Sequence, residues 1–278
     1  MKKTLAAALA ALLCTAVAAQ AQTLADVKKR GVLRLGYSET SVPFAFKQDD
    51  KIAGYSVELC QRVAAAVDTA VGKPVKVEWV SLTPANRLEA VASGKVDLEC
   101  STTTITLKRR EKVDFSLPIF VDAATVMAKK EASGLADLQG KKIAAAEGTT
   151  TLPALEAALA KRFIKAEIVR TKSVMEGFEM LKAGKVDGLA SDRTKLVGTF
   201  LQGGGAEGLG VLAEDLSYEP YALVMRKGDT EFRLLVDRVI AQIYRSGEIE
   251  SIYGRWMGPL GKPAMGLVVM YMLNGLPE

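Results

Sequence analysis

The chain has 278 residues, is 49% hydrophobic, carries a net charge of +5 and contains no histidine. That length and apolar share suit one large domain or two lobes of ordinary size around a sizeable core. The missing histidine excludes Ser-His and Cys-His nucleophiles, histidine bases and histidine-containing zinc sites, and so mild a basic balance lacks the concentrated face that nucleic acid requires.

Residues 1–21 read as a secretory leader: the charged start Met1-Lys2-Lys3, an apolar run to Val17, then Ala19-Gln20-Ala21 as a small-x-small cleavage site. The run is shorter than the ~20 residues a membrane helix needs. A lipoprotein reading at Cys14 is weakened by Leu13, which is larger than the small residue expected before a lipidated cysteine. Cleavage after Ala21 removes Lys2 and Lys3 and lowers the charge from +5 to +3. The expected location is periplasmic. There Cys60 and Cys100 read either as a disulfide or as two buried thiols acting as small hydrophobes.

The expected mature chain opens with a short amphipathic helix from Leu24 to Arg30, closed by Gly31, and a strand from Val32 to Tyr37. Ser38 to Phe44 breaks the pattern and reads as a loop at that strand's carboxyl end, with Phe44 as either a ligand wall or a plug. Asp49-Asp50-Lys51 reads as a turn, the segment after Gly54 as a helix through Val67, and Val75 to Val80 as the next strand. The following helix, Asn86 to Ser93, has Arg87 in its first turn. The helix dipole disfavours a cation there, so Arg87 reads as a specific anion partner or as an ordinary surface arginine.

Residues 94–110, GKVDLECSTTTITLKRR, hold the densest signal. Val96, Leu98 and Cys100 alternate as a strand, and Ser101, Thr102, Thr103 and Thr104 place hydroxyls where that strand should leave the sheet. Open α/β sheets bind ligands beyond such carboxyl ends, and Arg109 follows with a fork that can grip a carboxylate. Ordinary β-structure and a solvated Lys108-Arg109-Arg110 face are the competing explanations.

Val113 to Phe120 is extended and Ala124 to Ala128 forms a strand, after which the pattern restarts. Gly140 to Ala146 matches the chain's first strand, and Ala183-Gly184-Lys185-Val186-Asp187 echoes Ser93-Gly94-Lys95-Val96-Asp97, which implies two similar lobes. Glu147 to Thr151 precedes a helix with Pro153 near its start, so Thr150 reads as a ligand contact or as a helix cap. Asp192 falls at a strand's carboxyl end, where it could hold an ammonium. Gly203-Gly204-Gly205 and Gly208-Leu209-Gly210 read as loop, since no Lys-Ser/Thr follows them. Tyr218 to Met225 is extended, Glu231 to Ser246 is a long amphipathic helix, and Ser251 to Met257 continues helically. The apolar run Gly266 to Leu273 is too short to span a membrane and packs as a helix or tail.

In this order the pieces resemble the periplasmic solute-binding proteins of polar amino-acid ABC transporters, particularly the glutamate/aspartate-binding branch. The resemblance rests on Ser41 to Phe44, Gly54 to Cys60, Asn86-Arg87, Gly94 to Cys100, Ser101-Thr102-Thr103, Val113 to Ser116, Gly148-Thr149-Thr150 and Tyr253 to Trp256. It implies an α/β fold of two lobes, each a mostly parallel sheet flanked by helices, joined by two crossover strands near Val121 to Ala124 and Ser217 to Tyr221. Residues 22–121 and 221–278 would make one lobe and 122–220 the other, closing on a free amino acid. A monomer that delivers to an inner-membrane ABC permease is implied, without cofactor or metal and with no role for nucleic acid.

By position the resemblance gives Arg109 the α-carboxylate, Asp192 the α-ammonium, and Thr102, Thr104 and Thr150 donor roles, with Arg87 on the side-chain carboxylate. Two cations of the acidic branch are missing, an arginine near Ser38 and a histidine near Val174. The aromatic pair that sandwiches basic ligands would fall near Ser41 and Pro84, where no aromatic stands. An acidic amino acid is therefore expected first, and glutamine, asparagine or another neutral amino acid second. The rival is an exported enzyme like the cyclohexadienyl dehydratases, which place a glutamate after the Gly-Thr pair. This chain has Thr151 near that place and Glu147 before the glycine, so no enzymatic activity is expected.

Overall fold

The computed structural model describes residues 22–278, and the leader expected at 1–21 lies outside the described residues. Helix α1 (Thr23–Arg30) has Asp26 in its first turn and Lys28, Lys29 and Arg30 in its last, which matches the helix dipole. It feeds β1 (Val32–Tyr37), whose Leu33 and Leu35 are fully buried. The loop after β1 carries the short β2 (Thr40–Ser41), which pairs with β3 (Ala45–Gln48); β3 in turn pairs with β4 (Lys51–Ala53) across the expected turn at Asp49-Asp50, so the three form a small antiparallel sheet. Next come α2 (Tyr55–Val71), β5 (Lys76–Ser81), α3 (Arg87–Ala92), β6 (Leu98–Thr104), α4 (Leu107–Arg110) and the long β7 (Val113–Lys129). The second series is β8 (Lys142–Ala146), α5 (Thr151–Lys161), β9 (Glu167–Thr171), α6 (Val174–Lys182), β10 (Gly188–Asp192) and α7 (Arg193–Gln202). The short β11 (Leu209–Val211) and β12 (Ser217–Arg226) then lead to α8 (Thr230–Arg245), α9 (Glu248–Met257) and α10 (Met265–Asn274).

The main sheet runs β5-β1-β6-β12-β7-β10-β8-β9, with β11 also on β7. Its outer strands form two parallel trios, and the two central strands, β12 and β7, pair antiparallel with each other and with the trios. Each trio has the order second-first-third, so the repeat in the sequence has a counterpart in topology. The two aspartates of the repeat do the same work: Asp97 accepts the Arg34 N–H at 2.9 Å and Asp187 accepts the Lys142 N–H at 2.9 Å. Each thereby pins the start of its trio's central strand.

Two expectations change. The hydroxyl run does not leave the sheet at Ser101; β6 continues to Thr104 and is buried throughout, because Ala222 and Tyr221 of β12 pair with Thr103 and Thr104. Likewise Val113–Phe120 and Ala124–Ala128 are one strand, held along its length by β12 and then β10.

One apolar core joins both ends of the chain, from Val27 and Leu33 to Ile252 and Tyr271, while separate clusters lie among residues 126–212. Glu58 ties α2 to α9: its carboxylate accepts from Arg255 Nη2 at 2.8 Å and from the Trp256 indole at 2.6 Å. Helix α10 buries Leu267, Met270 and Tyr271, and the Tyr271 hydroxyl lies 3.0 Å from that of Tyr55. No helix among the described residues is long and apolar enough to cross a membrane.

Cys60 of α2 and Cys100 of β6 are joined by a disulfide in this core. The bond closes a loop of 40 residues, for which chain entropy alone gives a stabilisation of about 4 kcal/mol. Reduction should therefore lower the melting temperature on the order of 10 °C, and unfolded, unreduced protein should show no free thiol at these two cysteines. Two reactive thiols, or an unchanged melting curve, would contradict the bond.

Candidate functional site

The strand ends β6, β8 and β10 deliver their loops to one place, as expected of an open α/β sheet. Arg109 spans it, donating from Nη1 to the Thr104 carbonyl at 2.8 Å and from Nη2 to the Gly148 carbonyl at 3.1 Å. Two of its five N–H donors are thus spent on carbonyls from opposite trios. Burial, and then the nearby charge of Arg87, lower the Arg109 pKa to about 10. Arg87 is itself buried in the first turn of α3 and donates from Nη1 to the Thr102 carbonyl at 3.1 Å. Its Nε is buried without a partner. Glu99 accepts from Thr103 Oγ1 at 2.8 Å; burial raises its pKa, against the opposing charge of Arg87.

The two trios also touch through hydroxyls. Thr104 Oγ1 and Thr150 Oγ1 are 3.2 Å apart, and each donates to Glu219 Oε2 at 2.5 Å. Ser217 Oγ donates to the other oxygen of the same carboxylate. Thr150 makes no helix cap; its hydroxyl is directed to Glu219. Backbones close the gap on either side: a Cβ on Gly148 would lie 2.5 Å from the Pro84 carbonyl oxygen, and one on Gly198 would lie 2.5 Å from that of Val42.

Asp192 ends β10 among buried partners. Its oxygens accept from Thr151 Oγ1 at 3.2 Å, from the Tyr221 hydroxyl, and from Lys195 Nζ at 2.6 Å. Burial works against its charge, but Lys195 and these hydrogen bonds hold its carboxyl below the usual carboxylate range. Asp122 on β7 accepts the Thr194 N–H at 3.1 Å. Burial, and then the charge of Asp192, push it up to about 7.

Of the residues singled out in the sequence, Arg87, Arg109, Thr102, Thr104, Thr150 and Asp192 converge here. Phe44 does not. It is fully buried, edge-on to Phe120 at 4.8 Å and to Tyr221 at 5.3 Å, so it is a core plug and not a wall of the site. Ser38 is engaged within its own loop, where its Oγ accepts from Ser41 Oγ at 2.9 Å and from the Thr40 N–H at 3.3 Å. The sequence reading missed Glu219, Lys195 and Asp122. Glu219 could have been found from strand periodicity, since it shares the buried side of β12 with Tyr221. Lys195 could have been found as Arg87 was, as a cation in the first turn of a helix where the dipole opposes it.

Residues 33–259 match the model of the bacterial extracellular solute-binding proteins, family 3. The L-glutamate/L-aspartate-binding protein of Pseudomonas aeruginosa is 34% identical over 257 residues, covering 90% of this chain and 85% of that protein. The glutamate/aspartate import solute-binding protein of Escherichia coli is 30% identical over 245 residues, covering 87% and 81%. Among solved structures, the ancestral amino acid-binding protein AncCDT-1, a precursor of cyclohexadienyl dehydratase, superposes with a TM-score of 0.72 at 30% identity, covering 84% of this chain and 99% of that one.

The Asp122–Asp192 pair has a consequence for stability. A carboxyl whose pKa rises to about 7 on folding keeps its proton in the native chain while the unfolded chain, titrating near ~4, has lost it. The native state then binds more protons, so this group's contribution falls as pH rises from about 4 to about 7 and is level above. In Asp122→Asn that loss disappears. Its stability relative to wild type should climb across that window and plateau above it, as read by urea unfolding at several pH values. Parallel profiles would show that Asp122 titrates normally.

Proposed function

The chain belongs to the bacterial extracellular solute-binding proteins, family 3, and on that premise we propose that it is the receptor of an ABC importer for an acidic amino acid, glutamate or aspartate. The observation that carries this reading is the convergence of Arg87 and Arg109 with Thr104 and Thr150, contributed by opposite trios, at one set of strand ends. Two glutamate/aspartate-binding relatives at 34% and 30% identity support the ligand class.

Residues 22–121 with 221–278 form one lobe and residues 122–220 the other, hinged on β7 and β12. Ligand binding shifts an open–closed equilibrium between them. Arg109 takes the α-carboxylate with the N–H donors that the Thr104 and Gly148 carbonyls leave over. Arg87 takes the side-chain carboxylate, with Thr102 beside it. Asp192 faces the α-ammonium, which must compete with Lys195 for it. The closed receptor, monomeric and periplasmic after loss of its leader, is then read by an inner-membrane permease.

A neutral amino acid such as glutamine or asparagine is the second reading. What favours it is that Glu99, Glu219 and Asp192 already match Arg87, Arg109 and Lys195 in number. A dehydratase-like enzyme is disfavoured because Thr151, at the place where those enzymes need an acid, is buried and bonded to Asp192.

Thermal unfolding of ligand-free protein against the twenty amino acids tests the assignment. A ligand at 100 times its dissociation constant stabilises by about 2.7 kcal/mol, so glutamate or aspartate should raise the melting temperature and the others should not. Arg109→Ala should weaken every amino acid at least about hundredfold, the loss of two charged hydrogen bonds. Arg87→Ala should weaken acidic ligands selectively. A shift with neutral amino acids alone would support the second reading, and turnover of prephenate or arogenate would overturn both.

A further inference from the structure

Lys195 keeps a buried cation where helix electrostatics oppose one. It stands in the first turn of α7, against the helix dipole, and is 5% exposed. Its Nζ lies 2.6 Å from Asp192 Oδ2, and Asp192 is 3% exposed. Tyr221 and Thr151 donate their hydroxyls to the same carboxylate. The group expected to receive a ligand's ammonium therefore already holds one from its own chain. A second ammonium brought beside it meets Lys195 as a like charge.

Lysine Nζ carries three N–H donors and, as an ammonium, accepts nothing. Asp192 takes one of them, and no other acceptor lies within hydrogen-bond distance of Lys195 Nζ among the described residues. The charge also acts on the site. Burial raises the pKa of Glu99 on β6, and Arg87, Arg109 and Lys195 all work against that rise, so Lys195 of the second series acts on the same carboxylate as the two arginines of the first. The spare donors fit an oxygen on the ligand. We propose that Lys195 is a specificity-determining residue that fills the ammonium place from within the chain, so that the cleft takes dicarboxylates bearing an oxygen on the α-carbon, 2-oxo or 2-hydroxy acids, at least as readily as the corresponding amino acids. The proposal rests on the receptor reading above and names a further ligand class for the same site: Arg109 and Arg87 take the two carboxylates as before, and Lys195 donates to the oxygen that stands where an amino acid has its amine.

Titration calorimetry on the purified protein with glutamate and with 2-oxoglutarate, which differ only at the α-carbon, tests this. Wild type should bind 2-oxoglutarate at least as tightly as glutamate, and glutarate, which has neither group, less tightly than 2-oxoglutarate. Lys195→Met removes the donor and frees Asp192 for a ligand's ammonium. It should move the ratio of the two affinities toward glutamate at least about tenfold, the scale of one hydrogen bond to a charged group. A wild-type preference for glutamate, equal binding of glutarate and 2-oxoglutarate, or an unchanged ratio in Lys195→Met overturns the proposal and leaves Lys195 a structural counter-ion of Asp192. The wild-type titrations decide the matter if the variant does not fold. Wild-type protein that binds glutamate and not 2-oxoglutarate overturns this inference and leaves the receptor reading standing, whereas protein that binds neither of them nor any amino acid overturns both.

Discussion

A charged group that leaves water must find its counterpart inside the chain, and this requirement shapes the centre of the molecule. Arg87, Glu99, Arg109, Asp192, Lys195 and Glu219 all sit where the strand ends of two trios meet, and each has a charged or hydrogen-bonding partner there. Removing one member would leave its partner buried and unpaired, a cost on the order of 3–5 kcal/mol for a buried pair. The cluster accordingly has to be arranged as a unit. Its members come from α3, β6, α4, the end of β10, α7 and β12, so the sheet order decides which charges can meet.

The sheet is built to allow that meeting. Each trio covers its own apolar cluster, and the central antiparallel pair of β7 and β12 belongs to both. Glu219 and Asp122 lie directly opposite each other in the register of that pair, so the residues that reach toward both trios stand on the strands that join them. Helix packing and the Cys60–Cys100 bond secure one side, while the repeated aspartates, Asp97 and Asp187, fix the start of the central strand in each trio.

How much of this could be read from the chain follows from the range of each interaction. Alternation and helix ends are local, so β1, β5, β8 and the long α8 were legible within a residue or two. The Gly-Lys-Val-Asp repeat was legible because both copies answer one local demand, a helix stop followed by a carboxylate at a strand start. Continuation of β6 through Thr104 was not, since β12 pairs with it from more than a hundred residues away and overrides the turn that its hydroxyls suggest. Arg87, Arg109 and Asp192 stood out by their positions at element ends, and the family resemblance gave them their roles in the site. Phe44 was not resolved between plug and wall, because only the approach of Phe120 and Tyr221 decides it. Glu219 was overlooked for a related reason: a carboxylate inside a strand gains its meaning from hydroxyls that arrive from two other elements.

The contacts that bring the trios together differ in kind from those that pair charge. Gly148 meets Pro84 and Gly198 meets Val42 through backbone, close enough that a single added methyl carbon would fall at 2.5 Å from a carbonyl oxygen. Such contacts reward fit but supply little attraction, as each glycine offers no side chain to bury. Gly198 lies within α7, where glycine costs roughly 0.5–1 kcal/mol relative to alanine, so the close approach is maintained against helix propensity. Polar links that cross the gap run from Arg109 to the Gly148 carbonyl, from Thr104 to Glu219 and from Tyr221 to Asp192. On the two-lobe reading proposed above, a ligand that adds charge to this small set tips the balance between open and closed forms, because a population shift needs only a difference in interaction between the two states. On that reading, fit at Gly148 and Gly198 sets how far closure goes.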